Sequence, residues 1–130
     1  MSPAPGTTIN EHTVQKDFVD LLRGDGAYVR VVTGSLLNPG MPDTYVCTRN
    51  GRHLWVENKM WIRRTAPVAV IDLTNLLEGP QRNFILGETW RRGAPVFICA
   101  FTFTGEAWVT EGRGVYRNTL EYWSSYFANL

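Results

Sequence analysis

Apolar positions along this chain recur first at a helical period and then at a strand period. Val14, Phe18, Leu21 and Leu22 fall on one helical stripe that Gly24 ends, and Thr8 with Glu11 has the Thr-x-x-Glu spacing of a capping box. Glu11 lies on that same stripe, at positions 11, 14, 18 and 22. A carboxylate there either closes the capping box or finds a partner in a site, because an unpaired charge on a core-facing stripe is expensive. Residues 27–33 read as a first strand, and residues 34–40 as the loop that delivers the chain to Asp43. Residues 44–48 and 52–61 are rich in β-branched and aromatic types around Asn50-Gly51, a strong hairpin signal. Pro80, residues 81–92 and Gly93 predict a second helix, with Arg91 and Arg92 in its last turn.

Residues 95–104 form a buried strand, Gly105-Glu106 turns it, and residues 107–110 return. Residues 63–67 break the preceding strand, and the apolar run 68–77 fits either a strand or a loop with a turn. The final stretch carries Leu120, Tyr122, Trp123, Tyr126 and Phe127 at helical spacing, to pack on the core or to serve as a dimer contact. A helix-strand-strand-strand-helix-strand order with a hairpin at its centre predicts an α/β sandwich in which helices cover a mixed sheet. Residues 1–7, where Pro3, Pro5 and Gly6 surround nothing apolar, read as a flexible arm; residues 8–130 read as one domain.

Composition narrows this little further. With 130 residues, 44% hydrophobic and 19% charged, the chain is an ordinary globule with room for one real core. No run approaches the roughly 18 apolar residues of a membrane span, and the N-terminus lacks the basic-then-apolar pattern of a secretory signal. The expected compartment is the cytoplasm, where Cys47 and Cys99, both in apolar strand-like segments, are expected as buried, reduced thiols. A net charge of +1 says nothing as a total, although thirteen basic residues could line one groove. His12 and His53, the only histidines, give poor support to a zinc site or a histidine-based triad. His53 lies about 13 Å along its strand from Glu57 at the usual rise, and reads as a strand-end residue. No phosphate-loop spacing occurs.

The chemistry concentrates in Pro42-Asp43 and Glu57-Asn58-Lys59. Glu57 and Lys59, two apart on a strand, share a face, while Asn58 points to the other. A two-residue turn at Asn50-Gly51 would pair Asp43 with Asn58, on the wrong face. A three-residue loop of Arg49, Asn50 and Gly51, with Gly51 left-handed, pairs Thr48 with Arg52 and Asp43 with Glu57. The sequence therefore predicts the three-residue loop, or a bulge of equal effect. Two carboxylates and a lysine so placed suit hydrolysis of a phosphodiester. Asp43 and Glu57 would hold Mg²⁺, with the backbone carbonyl of Asn58 as a further oxygen ligand and Glu11 as an additional carboxylate from the first helix. Lys59 would orient the attacking water or hold the scissile phosphate. Arg63 and Arg64, just beyond it, are candidates for contacts to the nucleic-acid backbone. The bland alternative is a cross-strand salt bridge among Asp43, Glu57 and Lys59 on a solvated face.

Gly40-Met41-Pro42-Asp43, then His53-Leu54-Trp55-Val56-Glu57-Asn58-Lys59, then a helix opened by Gln81 and closed at Gly93 before a Val-Phe-Ile-Cys strand, resembles the PD-(D/E)XK nuclease superfamily. Within it the pattern is most similar to virus-type replication-repair (VRR-NUC) nucleases and archaeal-type Holliday junction resolvases. The resemblance runs from about residue 11 to 110. It implies an α/β, restriction-endonuclease-like fold and Mg²⁺- or Mn²⁺-dependent cleavage of DNA. It matches Asp43 and Glu57 to the metal ligands, Lys59 to the lysine, Glu11 to the acidic residue of the first helix and Gln81 to a polar residue early in the second. Ser35 falls where junction resolvases place a small hydroxyl residue near the site. Many relatives carry an apolar residue where this chain has Asn58, which leaves open what that amide bonds to.

The function expected from these residues is a metal-dependent endonuclease, a homodimeric Holliday junction resolvase of phage or mobile-element type serving recombination or repair, in the host cytoplasm if phage-encoded. A nuclease of the same fold acting on flap, nicked or site-specific duplex DNA, and a nucleic-acid-binding module without catalysis, remain alternatives.

Overall fold

The computed structural model describes residues 11–32 and 40–130. The proposed arm at 1–7, Thr8 of the capping box, and Ser35 lie outside them. Among the described residues, four α-helices and six strands follow in the order α1 (Glu11–Gly24), β1 (Tyr28–Val31), β2 (Thr44–Cys47), β3 (His53–Met60), α2 (Val70–Thr74), α3 (Gly79–Arg82), β4 (Val96–Phe101), β5 (Glu106–Thr110), β6 (Val115–Thr119) and α4 (Leu120–Ala128). The strands form a single sheet in sequence order, β1 to β6. Only β3 and β4 run parallel, with Glu57 beside Ile98 and Lys59 beside Ala100; every other neighbouring pair is antiparallel. A parallel pair needs a crossover, and α2 and α3 lie in it.

Each face of the sheet has its own core. On one, Val14, Phe18 and Leu22 of α1 and Trp123 and Phe127 of α4 pack on Leu54, Val56, Cys99 and Phe101. On the other, Leu73, Leu77 and Ile85 of the crossover pack on Trp61, Val96, Ile98 and Ala100. Strands β3 and β4 are therefore covered on both sides, and β4 is buried along its whole length. Such strands read as unbroken apolar runs, which is how residues 96–101 read in the sequence.

Four local features differ from the sequence reading. Residues 68–77 hold neither a strand nor a plain loop but the short helix α2, started by the Asp72 carboxylate, which accepts the N–H groups of Val68 and Ala69 at 2.8 and 3.1 Å. The helix expected over 81–92 begins at α3, widens into a π-helical segment (Asn83–Thr89) and tightens into a 3₁₀ turn (Trp90–Arg92), ending at Gly93 with φ 75°. β6 was not anticipated. It is a short edge strand whose residues are mostly exposed, so no buried alternation marked it. The α4 stripe divides: Leu120, Trp123 and Phe127 are buried, whereas Tyr122 and Tyr126 are exposed and stack on one another at 6.3 Å. Both cysteines are free; Cys99 is buried as expected, but Cys47 is half-buried. No helix among the described residues is long and apolar enough to cross a membrane.

Candidate active site

The hairpin adopts the three-residue loop. Cys47 stands opposite His53 and Thr44 opposite Val56, Thr48 N–H donates to the Arg52 carbonyl at 2.8 Å, and Gly51 N–H to Thr48 at 3.0 Å. Gly51 takes φ 81°, the left-handed conformation a glycine adopts without strain. Continuing the register by one step sets Asp43 opposite Glu57. Val32 N–H bonds the Asp43 carbonyl at 2.7 Å, so Asp43 stays in line with the sheet on its other side as well.

A second close approach fixes the far wall. Gly40, at φ 91°, lies against the first turn of α3, where a Cβ would come within 2.4 Å of the Pro80 carbonyl oxygen. The next residue, Gln81, uses its Oε1 to accept the Glu78 N–H at 3.1 Å as the third position of a capping box, and its Nε2 donates to Glu57 Oε2 at 3.4 Å. One side chain thus starts a helix and reaches the site.

Glu57 is only 2% exposed, and its Oε1 is buried with no donor among the described residues. Burial above all, and next the negative charge of Asp43, push its carboxyl up to about 9, against the opposing pull of Lys59. Burial likewise raises Asp43 to about 6, outweighing hydrogen bonds from Thr44 and Asn58. The two groups titrate as a pair, and near neutral pH the metal-free pair holds about one proton. Burial raises Glu11 too, while the charge of Lys59 draws it down. Lys59 therefore stands electrostatically between Glu11 and Glu57.

A buried carboxylate oxygen lacking a donor is stabilised only by a proton or a cation. Magnesium takes oxygen ligands and is held by one or two protein carboxylates together with waters and substrate phosphates. The residues present fit that pattern. Asp43 and Glu57 supply two carboxylates, and the register carried one step further sets Pro42, which has no N–H, opposite Asn58, so no ladder donor is available there for the Asn58 carbonyl. Among the described residues no three His, Cys, Asp or Glu side chains converge as a ready metal cage.

Of the other residues singled out in the sequence, Arg63 and Arg64 are exposed beyond the end of β3, Arg63 lying over the Trp61 ring at 5.4 Å. His53 is exposed, stacked on Tyr45 and hydrogen-bonded to its hydroxyl, away from the carboxylates. His12 is exposed on α1. Two residues went unnoticed. Thr44 donates to Asp43 and Gln15 donates to Thr44, and the available signals were modest: Thr44 adjoins Asp43, and Gln15 follows Glu11 by one helical turn.

No family model and no curated protein matches this chain. Among solved structures it is similar to Hjc of Archaeoglobus fulgidus, described as a Holliday junction resolvase from an archaeal hyperthermophile, with 17% identity and a TM-score of 0.51 over 83% of this chain and 87% of that one. A chain described as a VRR_NUC domain is similar at 26% identity and a TM-score of 0.46, over 68% and 81%. The likeness to the archaeal resolvase is one of fold, and the chain accordingly has the α/β, restriction-endonuclease-like architecture that its motifs resemble.

Proposed function

We propose that this chain is a divalent-metal-dependent endodeoxyribonuclease that cuts branched DNA, acting as a homodimer. The observation that carries the reading is Glu57, buried opposite Asp43 with a donorless oxygen and with Lys59 on its own face of β3. A solvated salt bridge does not account for a carboxylate 2% exposed. Mg²⁺ or Mn²⁺, when bound, would polarise the phosphate and acidify a water. Asp43, Glu57 and the Asn58 carbonyl would hold it, with Glu11 as a further carboxylate. Lys59 orients the attacking water or binds a non-bridging phosphate oxygen, and Glu11 steadies the lysine. Gln81 holds Glu57 in place. As the new P–O bond forms, the bond to the leaving ester oxygen breaks, giving one phosphate end and one hydroxyl end.

Arg63 and Arg64, following Lys59 along the chain, suit contacts to flanking phosphates. Ser35 belongs to the same proposal through its place in the motif. Preference for a four-way junction rests on the fold shared with an archaeal resolvase. Two-fold symmetry of the substrate favours a two-fold protein, for which the exposed Tyr122 and Tyr126 offer a contact. Free Cys47 and Cys99 suit a reducing cytoplasm.

The test compares cleavage of a four-way junction, a flap, a nicked duplex and a linear duplex in Mg²⁺ by wild type and by Asp43→Ala. Junction cleavage that needs both Mg²⁺ and Asp43 is expected. Equal cutting of linear duplex removes the branched-DNA reading, preference for a flap or nick replaces it, and inactivity on all four leaves a binding module.

A further inference from the structure

Asn58 answers a question that its place in the motif raises. It is fully buried, and its side-chain nitrogen donates to Asp43 Oδ1 at 2.7 Å and to Thr44 Oγ1 at 2.9 Å. Thr44 Oγ1 in turn donates to Asp43 Oδ1 at 2.9 Å and accepts from Gln15 Nε2 at 3.1 Å. These contacts close a triangle of Asn58 Nδ2, Thr44 Oγ1 and Asp43 Oδ1, tied to helix α1 by Gln15.

Donor counting gives these bonds one consistent set of directions. An amide nitrogen has two hydrogens, and both are committed. A hydroxyl has one hydrogen and two lone pairs; the two amides fill the lone pairs, so the Thr44 proton goes to Asp43. Turning the Asn58 amide over would set its oxygen against the Asp43 carboxylate, so the orientation is determined even though Asn58 Oδ1 is left buried without a donor. Asp43 Oδ1 thereby receives two hydrogen bonds. Oδ2 receives the Asn58 backbone N–H at 3.2 Å, and the Asp43 carboxyl is also hydrogen-bonded to that of Glu57.

On the reading of the site given above, we infer that Asn58, Thr44 and Gln15 are positioning residues that commit Asp43 Oδ1 to the protein and leave Oδ2, with Glu57 Oε1, as the oxygens presented to the cation. Asp43 then binds through a single oxygen, and the middle residue of Glu57-Asn58-Lys59 has a function that an apolar side chain would not supply. Hydrogen-bond partners of metal-binding carboxylates typically change affinity by roughly 10- to 100-fold when removed.

The experiment measures Mn²⁺ affinity by isothermal titration calorimetry, and the Mn²⁺ concentration giving half-maximal junction cleavage, for wild type, Asp43→Ala, Thr44→Val, Thr44→Ser, Asn58→Val and Gln15→Ala. Thr44→Val preserves shape in the core, and Gln15→Ala alters only a half-buried helix position, so at least these variants keep the fold, as thermal unfolding checks. Thr44→Val and Asn58→Val are expected to weaken Mn²⁺ binding by about ten-fold or more, with Thr44→Ser restoring it and Gln15→Ala giving a smaller loss. Folded Thr44→Val with wild-type affinity overturns the inference while Asp43-dependent binding by wild type leaves the nuclease reading standing. Absence of any Asp43-dependent Mn²⁺ binding by wild type overturns both.

Discussion

Gly40 and the Pro80 carbonyl are in such close approach that a Cβ on Gly40 would lie 2.4 Å from that oxygen. Asp43 follows Gly40 by three residues, and Gln81 follows Pro80 by one, so this contact sets how far the Asp43 approach stands from the residue that holds Glu57. Gly40→Ala meets both a left-handed φ and immovable backbone, and an expected destabilisation of roughly 2–4 kcal/mol follows. Gly51, at φ 81° with open space around it, supplies the comparison. Gly51→Ala should lose only about 1–2 kcal/mol, the left-handed strain alone. Thermal unfolding of the two variants checks the order, and equal losses would refute the role assigned to the Gly40 contact.

The buried pair Asp43 and Glu57 makes the stability of the metal-free protein depend on pH. Both folded-state values lie above the ordinary carboxylate range, Asp43 at about 6 and Glu57 at about 9. A raised carboxyl holds its proton more tightly folded than unfolded, so its stabilising contribution is complete below the unfolded value and is lost as pH rises through the folded one. Between pH 6 and 9 the folded pair retains about one proton that the unfolded chain has released. Stability in EDTA should therefore fall across that window by up to about 1.4 kcal/mol per pH unit. Glu57→Gln should flatten the slope, and Mg²⁺ should protect more at pH 8.5 than at pH 6.5. Melting curves across that range decide it; a flat wild-type profile in EDTA would show that the pair is not protonated.

Lys59 faces two carboxylates, Glu57 on its own strand and Glu11 on α1. Removing its charge should affect the transition state far more than DNA binding. Lys59→Ala is expected to lower single-turnover junction cleavage by at least about 100-fold, with affinity measured in Ca²⁺ little changed. Glu11→Gln should give a smaller loss. Parallel losses of affinity and cleavage in Lys59→Ala would instead make the lysine a simple phosphate contact.

Gln81 serves a helix start and Glu57 together, and two substitutions separate the roles. Gln81→Ala loses both and should cost about 1 kcal/mol of stability from the cap. Gln81→Glu keeps the capping acceptor but places a carboxylate where an amide donated to Glu57 Oε2. That variant should melt nearer to wild type and yet need more Mg²⁺ for half-maximal cleavage. A metal requirement unchanged in both would confine Gln81 to capping.

Much of this molecule was legible in the chain because the relevant physics is local. The Val14, Phe18 and Leu22 stripe, the buried run of β4 and the Arg49-Asn50-Gly51 loop each follow from periodicity or turn geometry, and the loop alone sets Asp43 opposite Glu57. Side-chain alternation then correctly put Glu57 and Lys59 on one face of β3 and Asn58 on the other. Elements whose signal is weak in isolation were not legible. β6 is exposed and held by its neighbour β5, and α2 depends on Asp72 capping one short turn.

The sequence by itself determined the strand register and the identity of the carboxylates and lysine, since both depend on residue type and on spacing within one hairpin. Tertiary structure decided what surrounds them. Whether Gln81 reaches Glu57, whether Gln15 and Thr44 brace Asp43, and whether burial lifts the carboxyl pair out of its ordinary range depend on how α1 and α3 pack against the sheet. That packing is the sum of many contacts between residues far apart in the chain, and no local spacing encodes it.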